Sequence, residues 1–138
     1  MRTLHPGLRV SDPQASLRFY RALGYTVVGT VPGTELGDLT LLRLPDDEFA
    51  ALELVHDPSG RAFEVGRGLT HLAVQVDSID AAVAALSAAG ASPSAVQRPG
   101  GPDGPRTSWA ADPDGHRIEL TEWPAGHAAG LGPSDFPG

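Results

Sequence analysis

The feature that most constrains the fold is an internal repeat with a period of 66 residues. Glu53 lies within Ala-Leu-Glu-Leu-Val, and Glu119 lies 66 positions further along, within Arg-Ile-Glu-Leu-Thr. The same offset relates His5 to His71, and it also relates two glycines and several aliphatic residues. Self-similarity at one fixed offset indicates two copies of one structural unit. We therefore expect two similar modules, each carrying one of these histidines and one of these glutamates.

The first copy, residues 4–56, alternates between stretches of strand and helix periodicity. The patterns predict a strand over Leu4–Val10, a helix over Pro13–Leu23 capped by Asp12, and strands over Tyr25–Thr30, Leu39–Leu44 and Phe49–Val55. The Gly- and Pro-containing stretch 31–37 is predicted to be a loop. This order of elements is βαβββ.

The second copy, residues 69–123, follows the same order after a polar linker over residues 57–68. We predict a strand over Leu69–Val76, a helix from the N-cap Asp77 to Ala89, a weak strand over Ser94–Gln97, a strand over Thr107–Ala111 and a last strand up to Trp123. The sequence Asp-Pro-Asp-Gly at 112–115 predicts a type I turn before that last strand. The Gly- and Pro-rich tail 124–138 is expected to be flexible, and residues 1–138 form one domain.

Composition excludes several classes of function. The chain has no cysteine, so thiolate catalysis, disulfides and cysteine metal sites are excluded. The net charge is −7 and all ten basic residues are arginines, which argues against a nucleic-acid-binding face. No apolar run approaches the ~20 residues of a membrane span, and no signal region precedes the first strand. We expect a cytoplasmic protein with no membrane partner.

The repeated histidines and glutamates share one side of the predicted strands. Because successive side chains leave a strand on opposite faces, each of the four points away from the neighbouring aliphatic residues. If the two modules curl around a common hollow, His5, Glu53, His71 and Glu119 can converge there. Imidazole and carboxylate ligands suit zinc, nickel, cobalt, iron or manganese better than calcium or magnesium. The alternative for each residue alone is an exposed or hydrogen-bonded side chain.

These motifs resemble glyoxalase I, within the vicinal oxygen chelate superfamily. The resemblance covers Leu4 to Trp123. It is carried by His5 with Arg9, Asp12, Phe19-Tyr20 and Leu23-Gly24, by Glu53-Leu54 with His56, by Arg67 to His71, and by Asp112-Pro113-Asp114-Gly115 to Glu119. It implies an α+β fold of two paired βαβββ modules, whose curled mixed sheets form a cupped site. It also implies a homodimer in which each site takes His5 and Glu53 from one subunit and His71 and Glu119 from the other.

The resemblance further implies the chemistry. The four residues would bind one divalent ion, with nickel, zinc or cobalt preferred. The substrate would be a hemithioacetal of methylglyoxal and a low-molecular-weight thiol, isomerised through an enediolate to the lactoyl thioester. Glu119 and Glu53 would be the catalytic bases that move the proton.

The thiol-binding positions match the family only in part. Arg9 and Arg67 match arginines that contact the carboxylates of the thiol. Asp57 stands where the family has Asn, and an ionised carboxylate cannot donate a hydrogen bond. The family also uses a lysine in the Gly-rich loop, and this chain has none, so Arg98 or Arg106 is predicted to replace it. Glutathione, mycothiol, bacillithiol or no thiol therefore stay open.

Other functions of the same fold also stay open. A metal-free, antibiotic-sequestering protein of the bleomycin-resistance kind would not need four ligands. An extradiol dioxygenase uses two His and one carboxylate, and a coenzyme A thioester epimerase has Gln at the position of Glu53. His56 and His116 have the wrong parity for ligands and are expected at a strand end or hydrogen-bonded at the surface. Trp109 and Phe63 are candidates for a substrate pocket or for packing.

Overall fold

The computed structural model describes residues 1–138 and confirms the βαβββ order of the first module. Its elements are β1 (Gly7–Val10), α1 (Pro13–Ala22), β2 (Thr26–Thr34), β3 (Gly37–Arg43) and β4 (Leu52–His56). The four strands form one sheet in the order β1-β4-β3-β2. Strand β1 runs parallel to β4, whereas β3 is antiparallel to both of its neighbours. This parallel pair places the residues before β1 beside the start of β4.

The second module repeats the parallel pair but has one strand fewer. Its elements are β5 (Leu72–Gln75), α2 (Ile79–Ala88), β6 (Arg106–Ala111) and β7 (Arg117–Glu122). The sheet order is β5-β7-β6, with β5 parallel to β7. The strand predicted at 94–97 is reduced to one bridge between Gln97 and Thr107, because Pro93 and the following Gly- and Pro-rich loop prevent a regular ladder. A short 3₁₀ turn at Pro133–Asp135 follows in the tail.

Several predicted boundaries were wrong for identifiable reasons. Strand β1 begins at Gly7 and not at Leu4, because Pro6 has no N–H to donate to a ladder. Helix α2 is capped by Ser78 and not by Asp77, since the Ser78 hydroxyl accepts from the Ala81 N–H at 3.2 Å. The N-cap of α1 is confirmed: Asp12 accepts from the N–H groups at the start of the helix.

The predicted loop over 31–37 is mostly strand. Strands β2 and β3 pair as far as Thr34 and Gly37, and a register shift between Val31 and Thr34 accommodates the Pro-Gly pair between them. Gly37 has φ of +124°, a conformation that L side chains rarely adopt, and a Cβ at this position would overlap the backbone of His56. The tip of this hairpin therefore lies directly against the end of β4.

One hydrophobic core joins the two modules. Fifteen buried residues form a single cluster that includes Leu8 and Leu54 from the first module and Ile118 and Leu120 from the second. Helix α1 of the first module contacts helix α2 of the second. Neither helix is long and apolar enough to span a membrane. Successive side chains of a strand point to opposite faces of the sheet. Because these aliphatic residues face the core, the face that carries the histidines and glutamates points away from it.

The Asp-Pro-Asp-Gly turn ties the modules together. Asp112 is 5% exposed and accepts a hydrogen bond from the Tyr20 hydroxyl at 2.8 Å. Asp114 accepts from the Ser11 hydroxyl at 2.6 Å, and His116 Nε2 lies 2.7 Å from the carbonyl oxygen of Arg9. Burial and the neighbouring carboxylate of Asp112 raise the pKa of Tyr20, so its hydroxyl stays protonated and donates. The end of β1 is thereby fastened to the start of β7.

Candidate metal centre

The first candidate ligand pair lies where β1 meets β4. His5 precedes β1 by two residues, and Glu53 is the second residue of β4. His5 Nε2 lies 3.2 Å from Glu53 Oε2, with side chains 24% and 15% exposed. The other ring nitrogen, Nδ1 of His5, is buried and has no hydrogen-bond partner within the chain. The pair is thus partly shielded from solvent, and the imidazole nitrogen and the carboxylate oxygen face each other.

The second pair has the same construction where β5 meets β7. His71 directly precedes β5, and Glu119 is the third residue of β7. His71 Nε2 lies 3.3 Å from Glu119 Oε2, and the side chains are 35% and 26% exposed. Nδ1 of His71 lies 2.9 Å from the Thr70 hydroxyl, and the Thr121 hydroxyl donates to Glu119 at 3.4 Å.

The strand registers explain why both modules produce the same pair. Glu53 pairs with Gly7 in the parallel ladder, and Glu119 pairs with Ala73. In each module the histidine lies two residues before that small partner, hence on the same face. A Cβ at Gly7 would make an ordinary van der Waals contact with Glu53 Oε1 at 3.5 Å, which agrees with the alanine at the equivalent position 73 of the second module. The repeat seen in the sequence is therefore also a repeat of geometry.

The donor set fits a divalent transition ion. Two ligand atoms at ~2.1 Å from one ion lie about 3.0 Å apart at a right angle and about 3.4 Å apart at the tetrahedral angle. The measured separations of 3.2 and 3.3 Å fall between these values. Each pair therefore has the spacing of two adjacent ligands. Nitrogen and carboxylate donors also match the preference of nickel, cobalt and zinc.

The two pairs do not form one site within a single chain. They lie on separate sheets, and no group of three or more His, Cys, Asp or Glu side chains is close enough to hold an ion. Each chain thus presents two separate His–Glu pairs (the candidate half-sites) on its outward faces.

The predicted thiol-binding residues Arg9 and Asp57 do come together. They line a cavity of about 280 Å³ beyond the end of β1, which also contains Arg61 and Phe63. Hydrogen bonds from Ser59, and to a lesser extent the positive charges of Arg61 and Arg9, lower the pKa of Asp57, so this carboxylate is an anion at neutral pH. Arg9 lies on the same face of the sheet as Glu53, since it follows Gly7 by two residues along β1.

The other three predicted arginines are placed differently. Arg67 is exposed and makes no side-chain hydrogen bond within the chain. Arg98 donates to carbonyl oxygens of its own loop at 3.3 Å. Arg106 forms a two-pronged bond to Asp80 at 2.8 and 3.0 Å and a third contact to Glu122 at 3.4 Å. Of the two arginines predicted to replace the family's lysine, Arg106 is thus already paired with carboxylates, one of them at the start of α2.

The sequence patterns did not mark Arg61, and they misplaced one histidine. Arg61 lines the cavity with Asp57, and nothing in its surroundings in the sequence marks it. Arg117 lies on the face of Glu119 because it precedes that residue by two positions on β7. His116 is hydrogen-bonded as predicted, but it is buried and not at the surface. His56 ends β4, as predicted.

Named relatives cover nearly the whole chain. A lactoylglutathione lyase of Haemophilus influenzae is 36% identical over 128 residues, which cover 88% of this chain and 93% of that protein. A lactoylglutathione lyase of Salmonella typhimurium is 34% identical over the same shares of both proteins.

Solved structures show the same architecture. The trypanothione-dependent glyoxalase I of Leishmania major superposes with a TM-score of 0.72 at 26% identity, over 88% of this chain and 86% of that one. TnmS3, an antibiotic-binding protein from Streptomyces, superposes with a TM-score of 0.63 at 25% identity, over 90% and 97% of the two chains. The family model of the Glyoxalase/Bleomycin resistance protein/Dioxygenase superfamily matches residues 2–120. The chain belongs to this superfamily.

Proposed function

We propose that the chain is a metal-dependent lyase of the glyoxalase I type, which converts a methylglyoxal–thiol hemithioacetal to the lactoyl thioester. The observation that carries the proposal is the presence of two matching pairs, His5 with Glu53 and His71 with Glu119, at 3.2 and 3.3 Å. The relatives named lactoylglutathione lyase support the same reaction. A sequestering protein has no need for four such ligands. We further propose a cytoplasmic location, where methylglyoxal arises from metabolism.

In this proposal the side chains bind one ion and move one proton. His5, His71 and the two carboxylates would hold nickel, zinc or cobalt, which when bound acts as a Lewis acid toward the neighbouring oxygens of the substrate. A carboxylate takes the proton from the carbon that bears the sulfur, and the proton is returned to the adjacent carbon. The hydroxyl proton shifts to the other oxygen, so the reaction is an isomerisation that needs no oxidant.

Glu119 and Glu53 would flank the substrate, one from each module. Glu119 is 26% exposed and therefore accessible to a substrate, and the Thr121 hydroxyl orients it. A positioned base of this kind contributes about 10²- to 10⁴-fold to the rate. We assign proton transfer to Glu119, with Glu53 as the second base.

We propose that the active form is a homodimer with sites across the subunit interface. One chain supplies only two of the four ligands to any one place, and both pairs lie on faces that point away from the core. In a two-fold symmetric dimer the first module of one chain can meet the second module of its partner, and the same contact then forms twice. Each dimer would hold two complete sites.

Metal analysis combined with turnover tests the proposal. The purified protein should bind one divalent ion per chain and act on methylglyoxal in the presence of a thiol. Glu119→Gln should lower kcat by at least ~10²-fold with a much smaller change in substrate affinity. Glu48→Gln makes the same chemical change on an exposed side chain and should have no effect. Near-normal turnover of Glu119→Gln would refute its role, and a protein that binds no divalent ion would favour the antibiotic-sequestering alternative.

The identity of the thiol is tested at Asp57. We propose that the cavity with Arg9, Asp57 and Arg61 binds the far end of the thiol, and that Arg67 and Arg98 are further contacts for it. The anionic Asp57 opposes a carboxylate at this end, so Asp57→Asn should lower the KM for the glutathione adduct. Initial rates with glutathione, mycothiol and bacillithiol adducts would compare the variant with the wild type. An unchanged order of preference would place the selecting group elsewhere.

A further inference from the structure

The two half-sites differ in the residue that faces the glutamate across the antiparallel ladder. Glu53 pairs with Leu41 of β3, whereas Glu119 pairs with Trp109 of β6. Directly opposed residues lie on the same face of a sheet, with Cβ atoms about 5 Å apart. Trp109 therefore lies on the face that carries His71 and Glu119, and its aliphatic counterpart cannot make the same contacts.

Trp109 is packed between the metal-ligand candidate and a cation. Its ring meets the His71 imidazole edge to face, with centroids 5.0 Å apart and planes at 83°. The guanidinium of Arg117 lies 4.4 Å from the centre of the Trp109 ring. Edge-to-face pairs and cation–π contacts each favour one relative orientation of the groups. Together they restrict how the imidazole can turn.

The His71 ring is more exposed than the His5 ring, so surrounding groups restrict it less. The His71 side chain is 35% exposed against 24% for His5, and its Nδ1 contacts the Thr70 hydroxyl, a group that can rotate. A ligand nitrogen binds an ion well only when its lone pair points at the ion, and neighbours that fix the ring supply much of that precision.

We propose that Trp109 is a positioning residue that holds the His71 imidazole in the metal-binding orientation, and that Arg117 holds the Trp109 ring in turn. The inference rests on the metal site proposed above and adds a residue that the four-ligand set does not include. Trp109 acts through His71 and takes no part in proton transfer. The site thus has one aromatic wall, on the side of the second module only.

Affinity for nickel, measured by competition with a chromophoric chelator, tests the assignment without reference to turnover. Trp109→Ala should weaken binding by about 10- to 100-fold, the usual cost of losing a group that orients a ligand. Trp109→Phe keeps an aromatic edge and should stay within a few-fold of the wild type. The matched control is Trp123→Ala, because Trp123 stacks on His127 in the tail, with centroids 4.3 Å apart, and should leave the affinity unchanged.

A fluorescence measurement supplies a second, independent readout. Nickel should quench the emission of Trp123→Phe, in which Trp109 is the sole indole, and should have little effect on Trp109→Phe. Arg117→Gln leaves the indole in place and should weaken nickel binding by a few-fold, which keeps the test valid if Trp109→Ala does not fold.

The outcomes separate the two proposals. Unchanged nickel affinity in folded Trp109→Ala, or equal losses in the Ala and Phe variants, would overturn the role of Trp109 while leaving the metal site intact. A wild-type protein that binds no nickel, zinc or cobalt would overturn the metal site, and the positioning role with it.

Discussion

Mixing two inactive variants tests whether the half-sites of different chains combine. His5→Ala damages the first module and His71→Ala damages the second, so each homodimer has a damaged ligand set in both of its sites. In a mixed dimer one site combines both damaged modules, and the other combines the two intact ones. The separate placement of the pairs on two sheets therefore predicts recovery on mixing.

The size of the recovery follows from counting sites. Random exchange of subunits gives about one half mixed dimers, and one of the two sites in each is intact, so about one quarter of wild-type activity should return. The assay is the initial rate of thioester formation after the two variants are mixed and allowed to exchange. Native mass spectrometry would measure the fraction of mixed dimers in the same sample.

A matched pair of variants provides the control. His5→Ala and Glu53→Ala damage the same half-site, so every site in their mixed dimer contains one damaged first module and no activity should return. Absence of recovery for His5→Ala with His71→Ala, in a sample where mixed dimers are present, would refute the shared-site geometry.

Three further perturbations test the fold around the site. Gly37→Ala should destabilise the chain by at least about 1–3 kcal/mol, because of its positive φ and the overlap with His56, as measured by urea unfolding; an unchanged midpoint would contradict the described hairpin. Tyr20→Phe removes the hydroxyl bound to buried Asp112 and should cost about 1–3 kcal/mol in the same assay, and a cost near zero would show that this bond does not stabilise the contact between modules. Hydrogen bonds to the Ala128 carbonyl and to the carboxylate of Asp135 raise the pKa of His127, and hydrogen bonds from the Gly132 N–H and then from His127 lower the pKa of Asp135. The contact between His127 and Asp135 therefore stabilises the tail fully only below the ordinary His pKa and above the ordinary Asp pKa. Amide exchange in residues 124–138, corrected for intrinsic exchange, should become faster as the pH rises through the His127 pKa. Protection that does not change with pH would contradict this prediction.

The two His–Glu pairs could be predicted from the sequence because their residues obey two simple periodicities. The 66-residue repeat identifies the pairs, and strand alternation places Glu53 and Glu119 on the faces opposite their aliphatic neighbours. Strand alternation depends only on local backbone geometry, so it holds wherever a regular strand forms. The capping of α1 by Asp12 was predictable for the same reason.

What could not be predicted depends on contacts between distant residues. Arg106 looked available in a Gly-rich loop, but Asp80 of α2 binds it from 26 positions away. His116 looked like a surface residue, yet it is buried because the carbonyl of Arg9 faces it from the other module. Likewise the aromatic contact of Trp109 depends on which residue β6 places opposite Glu119. Such pairings are set by register across the sheet and not by the local pattern.

The single hydrophobic core makes folding of the chain independent of the dimer on which the proposed activity depends. All fifteen residues of the core belong to one chain, so the apolar burial that stabilises the fold does not require a second copy. The proposed ligand set, in contrast, would be complete only when two copies meet. Under that proposal, activity at high dilution is governed by mass action between folded monomers, and a folded but monomeric chain is inactive.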